Sequence, residues 1–112
     1  MNKEVDEIVD VASRHYGEIV KGDWDGWVGT LAPRLQRTAD VRGSSADFWW
    51  RAGRRMAEKG VTYEFHHVDY VEDERAKLFF KRIDKDGRQL GLPVPIYLVK
   101  VEGKWWVDQP TY

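Results

Sequence analysis

Four stretches decide the fold: VTYEFHHVDYV (61–71), RAKLFFKRI (75–83), PVPIYLVKV (93–101) and KWWVDQ (104–109). Each is dense in β-branched and aromatic residues, and the separators carry turn chemistry, which predicts four strands in an antiparallel meander. Glu72-Asp73-Glu74 joins the first pair, Asp86-Gly87 the second and Glu102-Gly103 the third. Glycine supplies the positive φ that tight turns need. Pro93 and Pro95 bracket Val94 and each removes a ladder donor, so a bulge or sharp bend is expected there.

Upstream of Val61 the period changes from two to that of a helix. Val5, Ile8, Val9, Ala12, Tyr16, Ile19 and Val20 fall in a stripe about 120° wide on a helical wheel. Gly22 suits the C-terminal cap of that helix. Asp23 then caps a short second helix carrying Trp24, Trp27, Val28 and Leu31, closed by Pro33. Residues 34–43 read as a loop with a short strand near 38–42. Ser44 or Ser45 caps a third helix whose buried stripe is expected to be Phe48, Trp49, Ala52 and Met56, ending at Gly60.

At 112 residues the chain is long enough to bury one core and too short for two, so residues 1–112 are expected to form a single domain. Hydrophobic residues make up 42% and include six Trp, enough apolar area to offset chain entropy although 33% of residues are charged. The absence of cysteine excludes a disulfide framework, thiolate metal sites and cysteine nucleophiles. A net charge of −1 gives no global pull toward nucleic acid or membrane. The first twenty residues contain Lys3, Glu4, Asp6, Glu7 and Asp10, so they lack the apolar run of a signal peptide or membrane span, and a cytoplasmic location is expected.

The order of a helix, GDWDGWVGTLAP (22–33), a capped helix and a meander whose last turn reads VKVEGKWWVD (99–108) resembles the nuclear-transport-factor-2-like superfamily, also called cystatin-like. The resemblance spans nearly the whole chain. It implies an α+β cone: three N-terminal helices covering a strongly curved antiparallel sheet, a pocket between them, and dimerisation through the sheet in many members. Ketosteroid isomerase, scytalone dehydratase, limonene epoxide hydrolase and polyketide cyclases belong to the superfamily, as do members with no catalysis, so the fold leaves the function open.

Within that frame, Tyr16 lies on the apolar stripe of the first helix and its hydroxyl needs a partner in the interior. In ketosteroid isomerase a tyrosine of the first helix donates to a developing oxyanion and an aspartate shuttles the proton, roles that Tyr16 and Asp40 resemble, with His15 competing for the tyrosine's place. A second pocket aspartate would fall near Pro95 or Tyr97, where no carboxylate stands, which disfavours steroid isomerisation. Tyr16 is otherwise a core tyrosine bonded to a backbone carbonyl, and Asp40, flanked by Arg37 and Arg42, an ion-paired surface carboxylate. His66 and His67 are adjacent in a strand and therefore face opposite ways. Period-two spacing puts His67 with Tyr63, Phe65 and Asp69 on an expected interior face, unless a bulge swaps the faces. His67 and Asp69 are then a base with its orienting carboxylate, or a pocket wall bonded within the fold.

Trp27, Trp49, Tyr63, Phe65 and Tyr97 are the expected lining of a ligand pocket, and Trp50 with Arg54 one turn later the expected pocket rim or interface. Neither a cofactor nor a metal is expected, since His67 and its neighbours offer at most three donors without convergence. Residues 34–59 carry seven basic side chains against three acidic, a balance of +4, and residues 1–25 seven acidic against three basic, a balance of −4. Such segments are either solvated faces or attract one another or an anionic ligand. The last two strands carry large apolar residues in both phases, and helices cover one face only, so a homodimer through the other is expected. Three functions remain: a binder of a hydrophobic or aromatic, anionic or neutral small molecule; a cofactor-independent acid/base enzyme of the isomerase, dehydratase or cyclase type; and a dimeric association module.

Overall fold

A computed structural model describes residues 2–112. The first helix, α1 (Lys3–Lys21), is started by the Asn2 side chain, which accepts from the Glu4 amide at 2.9 Å, and is ended by Gly22 at φ 79°. Its last carbonyls are capped from a distance: the Arg54 guanidinium donates to the main-chain oxygens of Ile19 and Val20 at 2.6 and 3.0 Å. A charged donor at a helix C-terminus also complements the helix dipole. Asp23 caps α2 (Trp24–Val28) through the Gly26 amide, and Ser44 caps α4 (Ser45–Glu58) through the Asp47 amide.

The four strands β1 (Thr62–Val71), β2 (Arg75–Ile83), β3 (Val94–Val101) and β4 (Lys104–Gln109) form the expected meander in the order β1-β2-β3-β4. The α+β architecture, helices packed on a curled antiparallel sheet, is as the sequence predicts. Ala76, Leu78 and Phe80 of β2, Ile96 and Leu98 of β3 and Trp105 and Val107 of β4 alternate into the core. Ile8, Ala12, Tyr16 and Ile19 of α1 meet them there. The Glu102-Gly103 turn has both φ values positive, 51° and 79°, the twist that matches a tight hairpin.

Three local expectations are corrected. Residues 38–42 form no strand: the Ala39, Val41 and Ser44 amides each bond three residues back, to Gln36, Thr38 and Val41, which winds the segment into consecutive turns. A short helix, α3 (Pro33–Gln36), precedes them, with Pro33 starting it instead of closing α2. The sheet edge is covered instead by Thr30–Ala32, which lies parallel to β4 through Val107 N–H to Thr30 O and Ala32 N–H to Val107 O. Pro95 causes no register shift, because β4 stops at Gln109, opposite Tyr97, and no strand lies beyond it on that side. The bulges fall elsewhere, between Phe65 and His67, between Val68 and Tyr70, and between Tyr97 and Leu98.

Trp49, Ala52 and Met56 of the expected α4 stripe are half-buried against the core, and Phe48 is not. Phe48 is 64% exposed, whereas Ala46 and Gly53 are buried and Trp50 packs edge-on to Trp24 at 5.1 Å and tilted on Trp27 at 5.3 Å. Gly53 lets α4 come this close to α1, since a Cβ there would stand 2.2 Å from Ile19 Cδ1, a contact that only a glycine permits. We expect Gly53→Ala to lower stability by about 1–3 kcal/mol in urea unfolding, through overpacking against a fully buried isoleucine. Gly17→Ala, on the open face of α1 with nothing within 4 Å of its Cβ, should instead raise stability by about 0.5–1 kcal/mol.

Candidate functional site

The interior between helices and sheet holds a buried hydrogen-bond cluster centred on His15. The Thr30 hydroxyl donates to the Trp27 carbonyl at 2.7 Å, so the 2.7 Å contact between Thr30 Oγ1 and His15 Nδ1 has the imidazole N–H as donor. That leaves Nε2 with its lone pair. The Tyr112 hydroxyl, 2.6 Å away, donates to Nε2 and accepts from Trp27 Nε1–H at 3.0 Å. The indole N–H also lies 3.2 Å from Nε2. Burial drives the His15 pKa down to about 3, so the ring is neutral, as this tautomer requires.

Residues 110–112, beyond β4, fold back over this cluster. Four side chains from three elements reach the last two of them. His15 and Trp27 hold the Tyr112 hydroxyl; Tyr16 donates to the Thr111 carbonyl at 2.9 Å; Tyr63 donates to the main-chain oxygen of Tyr112 at 2.9 Å. The Tyr112 ring lies parallel to His15 at 5.7 Å and 14°, and edge-on to Tyr16 at 90°. Tyr16 in turn stacks on Tyr63 at 4.3 Å and tilts on Phe80 at 4.8 Å. Burial pushes the Tyr63 phenol up to about 12 and raises the Tyr16 and Tyr112 phenols further, so all three are neutral donors. Arg82, the cross-strand partner of Tyr63, lies on the same face, and its buried Nε has no partner among the described residues.

The expected open pocket is therefore filled in this structure by the chain's own aromatic rings, with a recess of about 170 Å³ between α1 and the start of β1 ending on Tyr16 and Tyr63. Of the expected lining, Trp27 is fully buried, Tyr63 half-buried, and Phe65 40% exposed against Phe80; Trp49 is half-buried on α4. Tyr97 is on the outer face of the sheet, opposite Lys77. The guanidinium of Arg54 sits 5.9 Å from the Trp50 ring, but Trp50 packs inward on Trp24 and Trp27 and does not stand free as a rim.

The three acid/base candidates stand in separate places. Tyr16 is interior, Asp40 is exposed in the turns between α3 and α4, and His67 is exposed on the outer face of the sheet. The expected inward orientation of His67 is corrected by the bulge after Phe65. It keeps Tyr63 and Phe65 inward and turns His67 outward, where it stacks on Phe79 at 4.9 Å and contacts His66. Asp69 pairs with Lys77 at 3.5 Å and not with His67. Among the described residues no group of three His, Cys, Asp or Glu side chains is placed to hold a metal ion, and no helix is long and apolar enough to cross a membrane.

Sequence reasoning missed Thr30 and Tyr112 and left His15 as a mere competitor to Tyr16. A signal for His15 was present, since it lies seven residues from Ile8, and four from both Val11 and Ile19, on the buried line of α1. Because its folded pKa lies below the usual histidine value, the unfolded chain binds a proton that the folded protein refuses between about pH 6.5 and about pH 3. Stability is then lost as the pH falls through that window, by on the order of 2 kcal/mol between pH 7 and pH 5. Urea unfolding at the two pH values should show this loss, and a His15→Gln variant, less stable at neutral pH, should show little of it.

No family model and no curated protein sequence matches the chain. Solved structures do. A protein of unknown function with a cystatin-like fold from Nostoc punctiforme superposes with a TM-score of 0.65 at 16% identity, over 96% of this chain and 87% of that one. A ketosteroid isomerase-like protein from Erwinia carotovora atroseptica gives 0.58 at 16% identity, over 96% and 93%. An NTF-2 like protein of unknown function from Shewanella oneidensis gives 0.57 at 12% identity, over 94% of each chain. Neighbours with this backbone thus include an isomerase-like protein alongside proteins of unknown function. With near-complete coverage in both directions, the chain has the nuclear-transport-factor-2-like, cystatin-like fold.

Proposed function

We propose that the protein binds a small aromatic molecule at the His15 cluster, in the space that residues 110–112 occupy in the closed form. The observation that carries this is convergence: His15, Trp27, Tyr16 and Tyr63 all aim polar atoms at two residues that belong to no helix or strand. A short irregular segment is easier to displace than a strand, because few backbone bonds hold it. Once it leaves, an aromatic-walled site with a few placed polar groups is exposed, the composition that small-molecule sites favour. The recess ending on Tyr16 and Tyr63 supplies a way in.

The enzyme reading has less support, because its three candidates do not share a site and His15, neutral and fully bonded, is positioned to recognise a group and not to take up a proton at neutral pH.

An association role is proposed alongside binding, with a second copy of this chain as the occupant of the outer sheet face. Phe79, Pro95 and Tyr97 lie half-buried there and Tyr70 is 37% exposed, while Val99 stands at the border of the face beside Pro33 and Arg34 of α3. The face carries acids on β1, Glu64 and Asp69, beside bases on β2, Arg75, Lys77 and Lys81. A two-fold axis can set one copy's acidic strand against the other's basic strand, which is the self-complementarity that an isologous interface needs.

Two measurements check these proposals. In a thermal-shift screen of aromatic metabolites, hits should stabilise the wild type and should stabilise Tyr112→Ala by a larger increment; an absence of hits on both proteins counts against the interior site. Light scattering at micromolar concentration should give a dimer that Tyr97→Glu converts to monomer, whereas a monomeric wild type would remove the association role.

A further inference from the structure

The hydrogen-bond polarity of the cluster restricts what can replace Tyr112. At one end of the site His15 Nε2 offers only a lone pair, because its Nδ1–H is committed to Thr30, while Trp27 Nε1–H offers only a proton. A group that satisfies both must donate and accept at once. A hydroxyl does this. A ketone or carboxylate oxygen would set its lone pairs against that of Nε2, and a bare hydrocarbon would leave the indole N–H and the imidazole only their longer 3.2 Å bond to each other in a dry site, one hydrogen bond where the hydroxyl makes two.

The other end has the opposite polarity. Tyr16 and Tyr63 each present a phenolic O–H, now given to main-chain oxygens of Thr111 and Tyr112, and the Arg82 guanidinium lies on the same face with an unpartnered, buried Nε. Donors and a positive charge want an acceptor, and a carboxylate satisfies them best. Between the two ends is the slot that holds the Tyr112 ring, with His15 parallel to it and Tyr16 at right angles.

We propose that the ligand is a hydroxyaryl carboxylate, a phenol whose hydroxyl is read by His15 and Trp27 and whose carboxylate, carried on a short chain across the ring, is read by Tyr16, Tyr63 and Arg82. The Tyr112 side chain and main-chain oxygen imitate this molecule from within the chain. Residues 110–112 thereby act as a tethered competitor that sets the affinity: the ligand binds only the fraction of molecules in which they have swung out. The specificity differs in kind from a site of donors alone, which would favour a ketone or an oxyanion.

This inference rests on the interior site proposed above, and the test separates the two. Para-hydroxyphenylpropanoate, which has the same connectivity between phenol and carboxyl carbon as tyrosine, is titrated into the wild-type chain alongside phenylpropanoate and para-hydroxyphenylpropanol, with the ring resonances of labelled Tyr112 and Tyr63 as readout. The hydroxyaryl acid should bind and shift both resonances. Phenylpropanoate should bind roughly ten-fold or more weakly, since it forgoes the two bonds of the hydroxyl and leaves His15 and Trp27 only the longer one to each other. The alcohol should also lose affinity, and the gap between acid and alcohol should narrow in Arg82→Gln, where only the Tyr16 and Tyr63 hydroxyls still read the carboxylate. Tyr112→Ala should bind the acid roughly ten-fold or more tightly than wild type while rejecting phenylpropanoate as before. If phenylpropanoate or the alcohol binds the wild type as well as the hydroxy acid does, the hydroxyaryl carboxylate assignment is overturned and the interior site stands. If no probe moves Tyr112 in the wild type, both fall, including the case where only Tyr112→Ala binds, because its site would then be a cavity made by the substitution.

Discussion

A neutral imidazole buried out of reach of water is the constraint on which the interior of this protein depends. His15 brings one donor and one acceptor into the core, and leaving either unmet costs about 1–3 kcal/mol, comparable to a sizeable share of a small domain's stability. Meeting them fixes Thr30 and Trp27 relative to α1 and draws Tyr112 in from the far end of the sheet. Thr30 then begins the short segment that lies along β4, so one ring ties the first helix, the second helix and the sheet edge into a single unit. Arg54 makes a second tie of the same kind, joining α4 to the exposed carbonyls of α1 across a crossing that Gly53 keeps close.

How much of this could be read in advance follows from the range of the interactions. The meander was legible because each strand declares itself within ten residues and each connection carries its own turn residues, and α1 because its apolar stripe repeats five times. The face of α4 was legible only in part: Trp49, Ala52 and Met56 pack as the stripe predicts, but Phe48 and Trp50 are equally apolar and the close approach that favours Trp50 is made by Gly53 against Ile19, thirty-four residues away in sequence. The orientation of His67 was lost for a different reason: a bulge adds one residue to a strand and inverts the side chains that follow until a second bulge restores the phase, yet leaves no mark on composition. The cluster itself was least visible, because its decisive bond joins His15 to Tyr112, 97 residues apart, and no local pattern announces a contact of that span.

The fold is firm and does not carry the chemistry, because the two rest on different kinds of contact. Curl, helix packing and strand order are properties of many small, redundant contacts, and a chain at 16% identity to its structural neighbours still satisfies them. A polar site has no such redundancy. Exchange one donor for an acceptor at His15 or Trp27 and the backbone is unchanged, while the set of molecules that can enter is altered completely.

The segment Thr30–Ala32, which covers the edge of β4, also determines how the sheet meets other sheets. An unpaired strand is an invitation to add another, and runaway addition of that kind ends in fibres. Here one border is closed by a parallel strip of main chain, while the other, β1, is broken by two bulges and set with Glu64, His66 and Asp69. Lengthening the sheet sideways is thus opposed at both borders, so the proposed pairing of outer faces would close on itself with a single partner and leave no strand to extend.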